Sequence, residues 1–330
     1  MPVSEFMGEA ISYYYQNKAP FGTKGDFITA PEISQMFGEL IGLWCVDIWI
    51  KLGKPEALHL IECGPGKGTM MADMLRATKA LPMFHDALSV HLIETSMSLM
   101  VEQKQALDGY DVMWHESMVQ IPLRAPFILI GNEFLDALPI DQYEFKGGAW
   151  HKRLVGVDNG KLVFTTSEDK VEVSHYGQEG DVIEISPARD AFVADVAAKL
   201  KQHSGAALFI DYGHHKSAVG DTLQAVKDHK PVDVLAFAGE ADITSHVDFE
   251  SIAQEAQEKG CHVPPVAPQG AFLQALGIMQ RAETLSKHAT EAQINDIQTA
   301  LARLTAAKEM GVLFKALAIT SDENIKPSGV

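Results

Sequence analysis

The sequence predicts an α/β fold built on an open, mostly parallel sheet. Three observations carry this. Short apolar runs recur along the 330 residues, and each ends in polar or glycine residues. Helical patterns lie between those runs. A glycine-rich loop, residues 62–69, follows the first run, where a strand would turn into a helix. Strands alternating with helices imply parallel βαβ units.

The elements follow in order. Residues 58–63 (LHLIEC), 89–94 (SVHLIE), 111–115 (DVMWH), 127–131 (FILIG) and 206–210 (AALFI) read as buried strands whose C-terminal ends deliver polar side chains. Residues 69–78, 96–106 and 188–203 carry apolar side chains at helical spacing. The alternation breaks after Ile140. Residues 142–145, 150–157, 161–166 and 182–185 read as further strands, with Asp158-Asn159-Gly160 as a hairpin-turn signal. A β insertion is therefore expected over about 140–186. The polar stretch 214–247, rich in glycine and aspartate, is expected to be a long functional loop. Residues 248–260 predict a helix capped by Asp248 and stopped by Gly260. Helices over 271–276 and 291–308 and a last strand over 311–320 complete the chain, which reads as one domain, 1–330.

Composition narrows the function. A formal charge of −17 repels a phosphate backbone, so nucleic acid is not expected as a partner, and a cationic substrate suits the balance. Cys45, Cys63 and Cys261 form no C-x-x-C pair, so no metal site and no disulfide framework is expected. No apolar run reaches the roughly 18 residues of a membrane span. Neither a secretory signal nor a transit peptide is visible at the N-terminus, and the expected location is the cytoplasm.

The chemistry concentrates at strand ends. Glu62-x-Gly64-x-Gly66-x-Gly68-Thr69 lets the backbone approach a ligand closely, and the following helix offers free N–H groups. It matches neither the dinucleotide pattern G-x-G-x-x-G nor the phosphate loop G-x-x-x-x-G-K-[ST]. An acid directly before G-x-G-x-G is the usual arrangement for the methionine end of S-adenosylmethionine. Glu94, ending the second strand, can accept both ribose hydroxyls; that fits a nicotinamide dinucleotide equally well, and a helix cap is the alternative. Glu116-Ser117 stands where an adenine edge would lie, or is an ordinary surface loop. Asn132-Glu133-Phe134-Leu135-Asp136 follows the fourth strand. Asn132 is assigned to the cofactor. Glu133 and Asp136 are the catalytic candidates, because paired carboxylates can grip a guanidinium in a forked geometry. A cap on a following helix is the alternative for Asp136. Asp211 ends the fifth strand and is a third candidate for substrate contact, and His214 a candidate proton acceptor.

These residues resemble a family. GDFITAPEISQMFGELIGLW (25–44), ECGPGKGT (62–69), NEFLDALP (132–139), LFIDYGH (208–214), GDTLQAVKDHK (220–230), GEADITSHVDF (239–249) and MGVLFKALAI (310–319) look like the MidA-type methyltransferases, relatives of the mitochondrial protein arginine methyltransferase that assists complex I assembly. The resemblance implies a class I S-adenosylmethionine-dependent methyltransferase fold, Rossmann-like, with a seven-stranded sheet whose last strand is antiparallel, and S-adenosyl-L-methionine as cofactor. It implies an N-terminal cover over residues 1–50, with Gly25, Asp26, Phe27, Thr29 and Glu32 above the active site. It also implies symmetric dimethylation of protein arginine, with a complex I core subunit as candidate target. A second copy of the chain is a candidate partner. In the family a segment like hP-x-x-GYY precedes the GDF motif; here Tyr13-Tyr14-Tyr15 stands in an altered stretch. That alteration motivates a rival reading, a non-catalytic assembly factor on a methyltransferase scaffold.

Overall fold

The computed structural model describes residues 1–17 and 29–330. Its centre is a mixed sheet in the order β3-β2-β1-β4-β9-β15-β14. Strands β1 (Leu58–Cys63), β2 (Leu88–Ile93), β3 (Val112–His115), β4 (Phe127–Asn132) and β9 (Gly205–His214) run parallel. β15 (Phe314–Thr320) lies antiparallel beside β9, and the two-residue β14 (Ala267–Pro268) closes that edge. A short β13 (Val247–Asp248) adds a parallel pairing at the end of β9.

Alternation along each strand feeds two cores. In β4, Ile128 and Ile130 join one cluster while Phe127 and Leu129 join the other. In β9, Ala206, Leu208 and Ile210 oppose Ala207 and Phe209 in the same way. Both faces are covered by helices, which is why these strands read as unbroken apolar runs. α4 (Thr69–Thr78), α6 (Met97–Ala106), α7 (Pro187–His203) and α8 (Phe249–Glu258) fall where the spacing predicts them. Asp248 caps α8 by accepting the Glu250 and Ser251 amides.

Residues 141–185 contain a four-stranded antiparallel sheet in the order β7-β6-β5-β8, with β5 (Asp141–Lys146), β6 (Ala149–Asp158), β7 (Lys161–Val171) and β8 (Val182–Ile185). Asn159 and Gly160 both take positive φ, 48° and 75°, the demand of a tight hairpin turn.

Three expectations change. The stretch 214–247 is not a plain loop: β10 (Gln224–Lys227), β11 (Lys230–Val232) and β12 (Asp242–Thr244) pair as a small antiparallel sheet. These strands are too short for alternation to show in the sequence. The last strand begins at Phe314, because α12 (Met310–Leu313) takes the preceding residues. α3 (Gln35–Lys51) is a core helix, with Phe37, Ile41 and Trp44 fully buried, not part of a cover. It packs on α4 through Gly38 and Gly42; a Cβ on Gly42 would stand 2.8 Å from Met74 Cα and 2.9 Å from its carbonyl oxygen. α1 (Val3–Asn17) instead joins Ile140, Val155, Ala225 and Ile243 in a third cluster through Val3, Phe6, Met7 and Ala10.

Candidate active site

The strand order reverses between β1 and β4, so the crevice beyond their C-terminal ends is where an open α/β sheet binds its ligand. Two loops flank it. The loop after β1 bends through Gly64, Gly66 and Gly68, all at positive φ. Gly68, at 82°, starts α4, and a Cβ there would lie 3.3 Å from Gln103 Cα. Thr69 donates its hydroxyl to Glu32, and Lys67 lies 3.9 Å from the same carboxylate. Thr29 precedes α2 (Ala30–Ile33), which therefore sits tied against the glycine loop. Gly25, Asp26 and Phe27 lie outside the described residues.

A small recess of about 30 Å³ is lined by Glu32, Glu62, Gly64, Gly66, Asn132 and Glu133. Glu62 Oε2 and Asn132 Oδ1 are buried with no hydrogen-bond partner among the described residues. Burial pushes the Glu62 carboxyl up to about 8. Two unsatisfied acceptors in one recess are costly alone and await a donor.

The recess shares Gly64, Gly66 and Glu133 with a larger cleft of about 530 Å³. Glu94, Glu116 and Ser117 line this cleft together with the apolar Leu99, Met118 and Phe134. Glu94 is buried and held firmly. Its Oε1 accepts the Thr95 and Ser96 amides, each at 2.8 Å, and its Oε2 accepts Gln103 Nε2 at 3.0 Å. Burial raises its carboxyl above the usual range, against those hydrogen bonds. Gln103 also donates to Gly66 O at 2.7 Å and accepts from Trp114 Nε1 at 2.8 Å. One amide thus joins the glycine loop, Glu94 and β3. Glu116 and Ser117 are exposed at the cleft mouth, where Glu116 N donates to Gln120.

The loop after β4 carries the acids. Glu133 adopts φ 49°, a strained value for a residue with a Cβ. Its Oε1 accepts from Ala30 N at 3.0 Å and Asn132 Nδ2 at 3.2 Å. Burial, with the charge of Asp136 adding to it, pushes its carboxyl up to about 7. Asp136 lies deeper. Its Oδ2 accepts the Tyr212 hydroxyl at 2.6 Å, and its Oδ1 has no partner among the described residues. No helix follows it, so the capping alternative is gone. Burial raises its carboxyl as well.

Asp211 stands behind this loop rather than in the cleft. Its Oδ2 accepts the backbone amides of Phe134, Leu135 and Asp136 at 3.2, 3.0 and 3.1 Å, and its Oδ1 that of Tyr212 at 2.9 Å. A carboxylate filled by four amides is an organiser of backbone. Its expected contact with substrate is corrected accordingly: the loop folds back onto it. Arg189 completes the support, donating to Leu135 O, Asp136 O, Ser245 O, Ser245 Oγ and His246 O. His214 sits 3.7 Å from Asp248 in a separate pocket, away from Glu133.

Residues 40–266 match the family described as S-adenosyl-L-methionine-dependent methyltransferase. The chain is 33% identical to the Drosophila melanogaster protein arginine methyltransferase NDUFAF7 homolog, mitochondrial, over 97% of this chain and 81% of that protein. It is 30% identical to the Homo sapiens protein arginine methyltransferase NDUFAF7, mitochondrial, over 98% and 81%. A Burkholderia thailandensis structure bound to S-adenosyl-homocysteine superposes with a TM-score of 0.82 at 26% identity, covering 99% of this chain and 88% of that one. The chain belongs to this S-adenosylmethionine-dependent methyltransferase family.

The cofactor of the methyltransferase fits the geometry. An α-ammonium would supply the donors that Glu62 Oε2 and Asn132 Oδ1 lack among the described residues, and the oriented Glu94 carboxylate would suit a ribose diol. The expected cytoplasmic location does not stand, because the curated relatives are mitochondrial proteins. Sequence reasoning gave no role to Gln103, Arg189 or Tyr212. Gln103 and Arg189 look like ordinary helix residues in the sequence. Tyr212 had a visible signal, its place beside Asp211 at a strand end.

Proposed function

We propose that this methyltransferase acts on arginine side chains of a protein, placing methyl groups symmetrically on the ω-nitrogens, with a respiratory complex I core subunit as its target. The observation that carries the acceptor is the buried Glu133 carboxylate, which lines both the recess that suits the cofactor's ammonium and the larger cleft, with the Asp136 carboxylate buried behind it. The names of the curated relatives, protein arginine methyltransferases, support arginine of a protein as the acceptor.

S-adenosylmethionine supplies a methyl group made electrophilic by its sulfonium. The chain's own residues then have to hold, align and deprotonate the acceptor. Glu62 and Asn132 hold the ammonium, Glu94 the ribose, and Glu116 and Ser117 the adenine edge. Gly64, Gly66, Gly68 and Thr69 shape the loop beneath. Glu133 faces both cavities, so it can meet the acceptor beside the methyl donor. A guanidinium draws Glu133 into its charged form, and the carboxylate can later accept the proton that the methylated nitrogen releases. Asp136, steadied by Tyr212 and outside the lining of both cavities, acts from behind Glu133 by adding negative charge to the acceptor's side. Asp211 acts through the loop and is a positioning residue.

Glu133→Gln keeps the shape and removes the charge. Its turnover with an arginine substrate should fall about a hundredfold, while cofactor affinity measured by calorimetry changes little. Mass spectrometry of methylated arginines in wild-type and deletion cells tests the target. An unchanged arginine methylation pattern would count against it.

A further inference from the structure

The altered Tyr13-Tyr14-Tyr15 stretch has no part in the chemistry above, yet it reaches the site. Tyr15 lines the 530 Å³ cleft together with Gly8, Ile11 and Ser12 of α1, and Glu133 lines the same cleft. Its ring is fixed at two points. The hydroxyl donates to Asp242 Oδ1 of β12 at 3.2 Å, and Tyr14, fully buried, packs edge-on at 5.3 Å with an interplanar angle of 87°. Asp242 is itself buried on the small sheet that stands in place of the expected loop. An aromatic face held still beside a carboxylate is a receptor for a flat cation, since the ring face is the negative end of its quadrupole.

We infer that Tyr15 is an acceptor-recognition residue: its ring forms the wall on which a guanidinium lies while Glu133 takes its edge, and Asp242 positions that ring. This rests on the reading of arginine as the acceptor. Burial, with the charges of Asp242 and Asp136 adding to it, holds the Tyr15 phenol well above its ordinary range, so the ring stays neutral.

The test uses the full chain with S-adenosyl-homocysteine, titrated with an arginine-containing peptide and its lysine-substituted control, alongside steady-state kinetics. Tyr15→Leu should raise the arginine-peptide Kd and KM about tenfold or more while leaving kcat and cofactor affinity within about twofold. Tyr15→Phe keeps the face and should stay within about threefold of wild type. Asp242→Asn, which takes the charge from the tether, should weaken the peptide in the wild-type background by no more than Tyr15→Phe does and add nothing in the Tyr15→Phe background, because the hydroxyl it acts through is gone. Equal weakening of cofactor and peptide by Tyr15→Leu would make the residue part of the cofactor site and overturn the proposal. An unchanged peptide Kd would overturn it too. Should Tyr15→Leu fail to fold by circular dichroism, the Tyr15→Phe and Asp242→Asn cycle decides. Wild-type binding of the arginine peptide without methyl transfer would sink the arginine-methylation reading alone, whereas absence of binding would sink both.

Discussion

At the scale of single residues, the site is a set of carboxylates held in different states by their surroundings. Glu62 is the sharpest case. Its carboxyl sits near 4.5 in the unfolded chain and is pushed up to about 8 by burial in the fold. A raised folded value means that the stabilising contribution is complete below pH 4.5 and is lost as pH rises towards 8. Relative to wild type, Glu62→Gln should therefore gain urea resistance between pH 5 and pH 8, on the order of a few kcal/mol. A parallel pH dependence in both proteins would refute the assignment. A bound ammonium favours the ionised form, so cofactor affinity should tighten from pH 6 to pH 8 with release of about one proton, measurable by calorimetry in buffers of different ionisation enthalpy. Asp211 makes the opposite kind of prediction. Asp211→Asn turns one of its two acceptor atoms into a donor facing an amide. It should cost about 2–4 kcal/mol and loosen Glu133 with it, read by denaturant titration. The sequence placed Asp211 just past the end of its strand, whereas β9 runs on to His214 and holds Asp211 within the ladder. Its orientation was not legible, because that depends on how residues 133–136 fold back across Ile210.

At the scale of elements, legibility followed periodicity. β1, β4 and α4 were visible because apolar spacing and a glycine stop coincide at their ends. α3 was not read as a core helix, because a helix buried nearly all round has no polar face to set the period. Its packing carries a prediction. Gly42→Ala should gain roughly 1 kcal/mol of intrinsic helix preference. It should lose more, because the new methyl meets the Met74 backbone at 2.8–2.9 Å and a helix backbone cannot rotate away. A net destabilisation of about 1–2 kcal/mol is expected from the urea midpoint. A stabilised variant would show that α3 and α4 can part without strain. Gly53, with open space around it, is the control position, although its φ of 84° calls for Asn rather than Ala.

At the scale of the whole molecule, the sheet order could be expected from the resemblance and the four-stranded insertion from its strand pattern, while the small sheet β10–β12 could not. α1, the four-stranded sheet and β10–β12 share one apolar cluster, and α1 carries Gly8, Ile11, Ser12 and Tyr15 from that layer into the lining of the cleft. Strands of three or four residues leave no readable pattern, so β10–β12 emerge only from the fold. On the proposed reading the cofactor is met by the parallel sheet alone, while the acceptor is met by Glu133 of that sheet together with Tyr15 of α1. Variants in the layer should alter peptide KM without altering cofactor binding.

Arg189 joins these scales. It spends its donors on atoms 53 to 57 residues away in either direction, at Leu135 and Asp136 on one side and at Ser245 and His246 on the other. A nascent chain that has not yet emerged to residue 246 cannot close those bonds. The brace behind the acidic loop is therefore complete only when three distant stretches, at 135–136, 189 and 245–246, have come together.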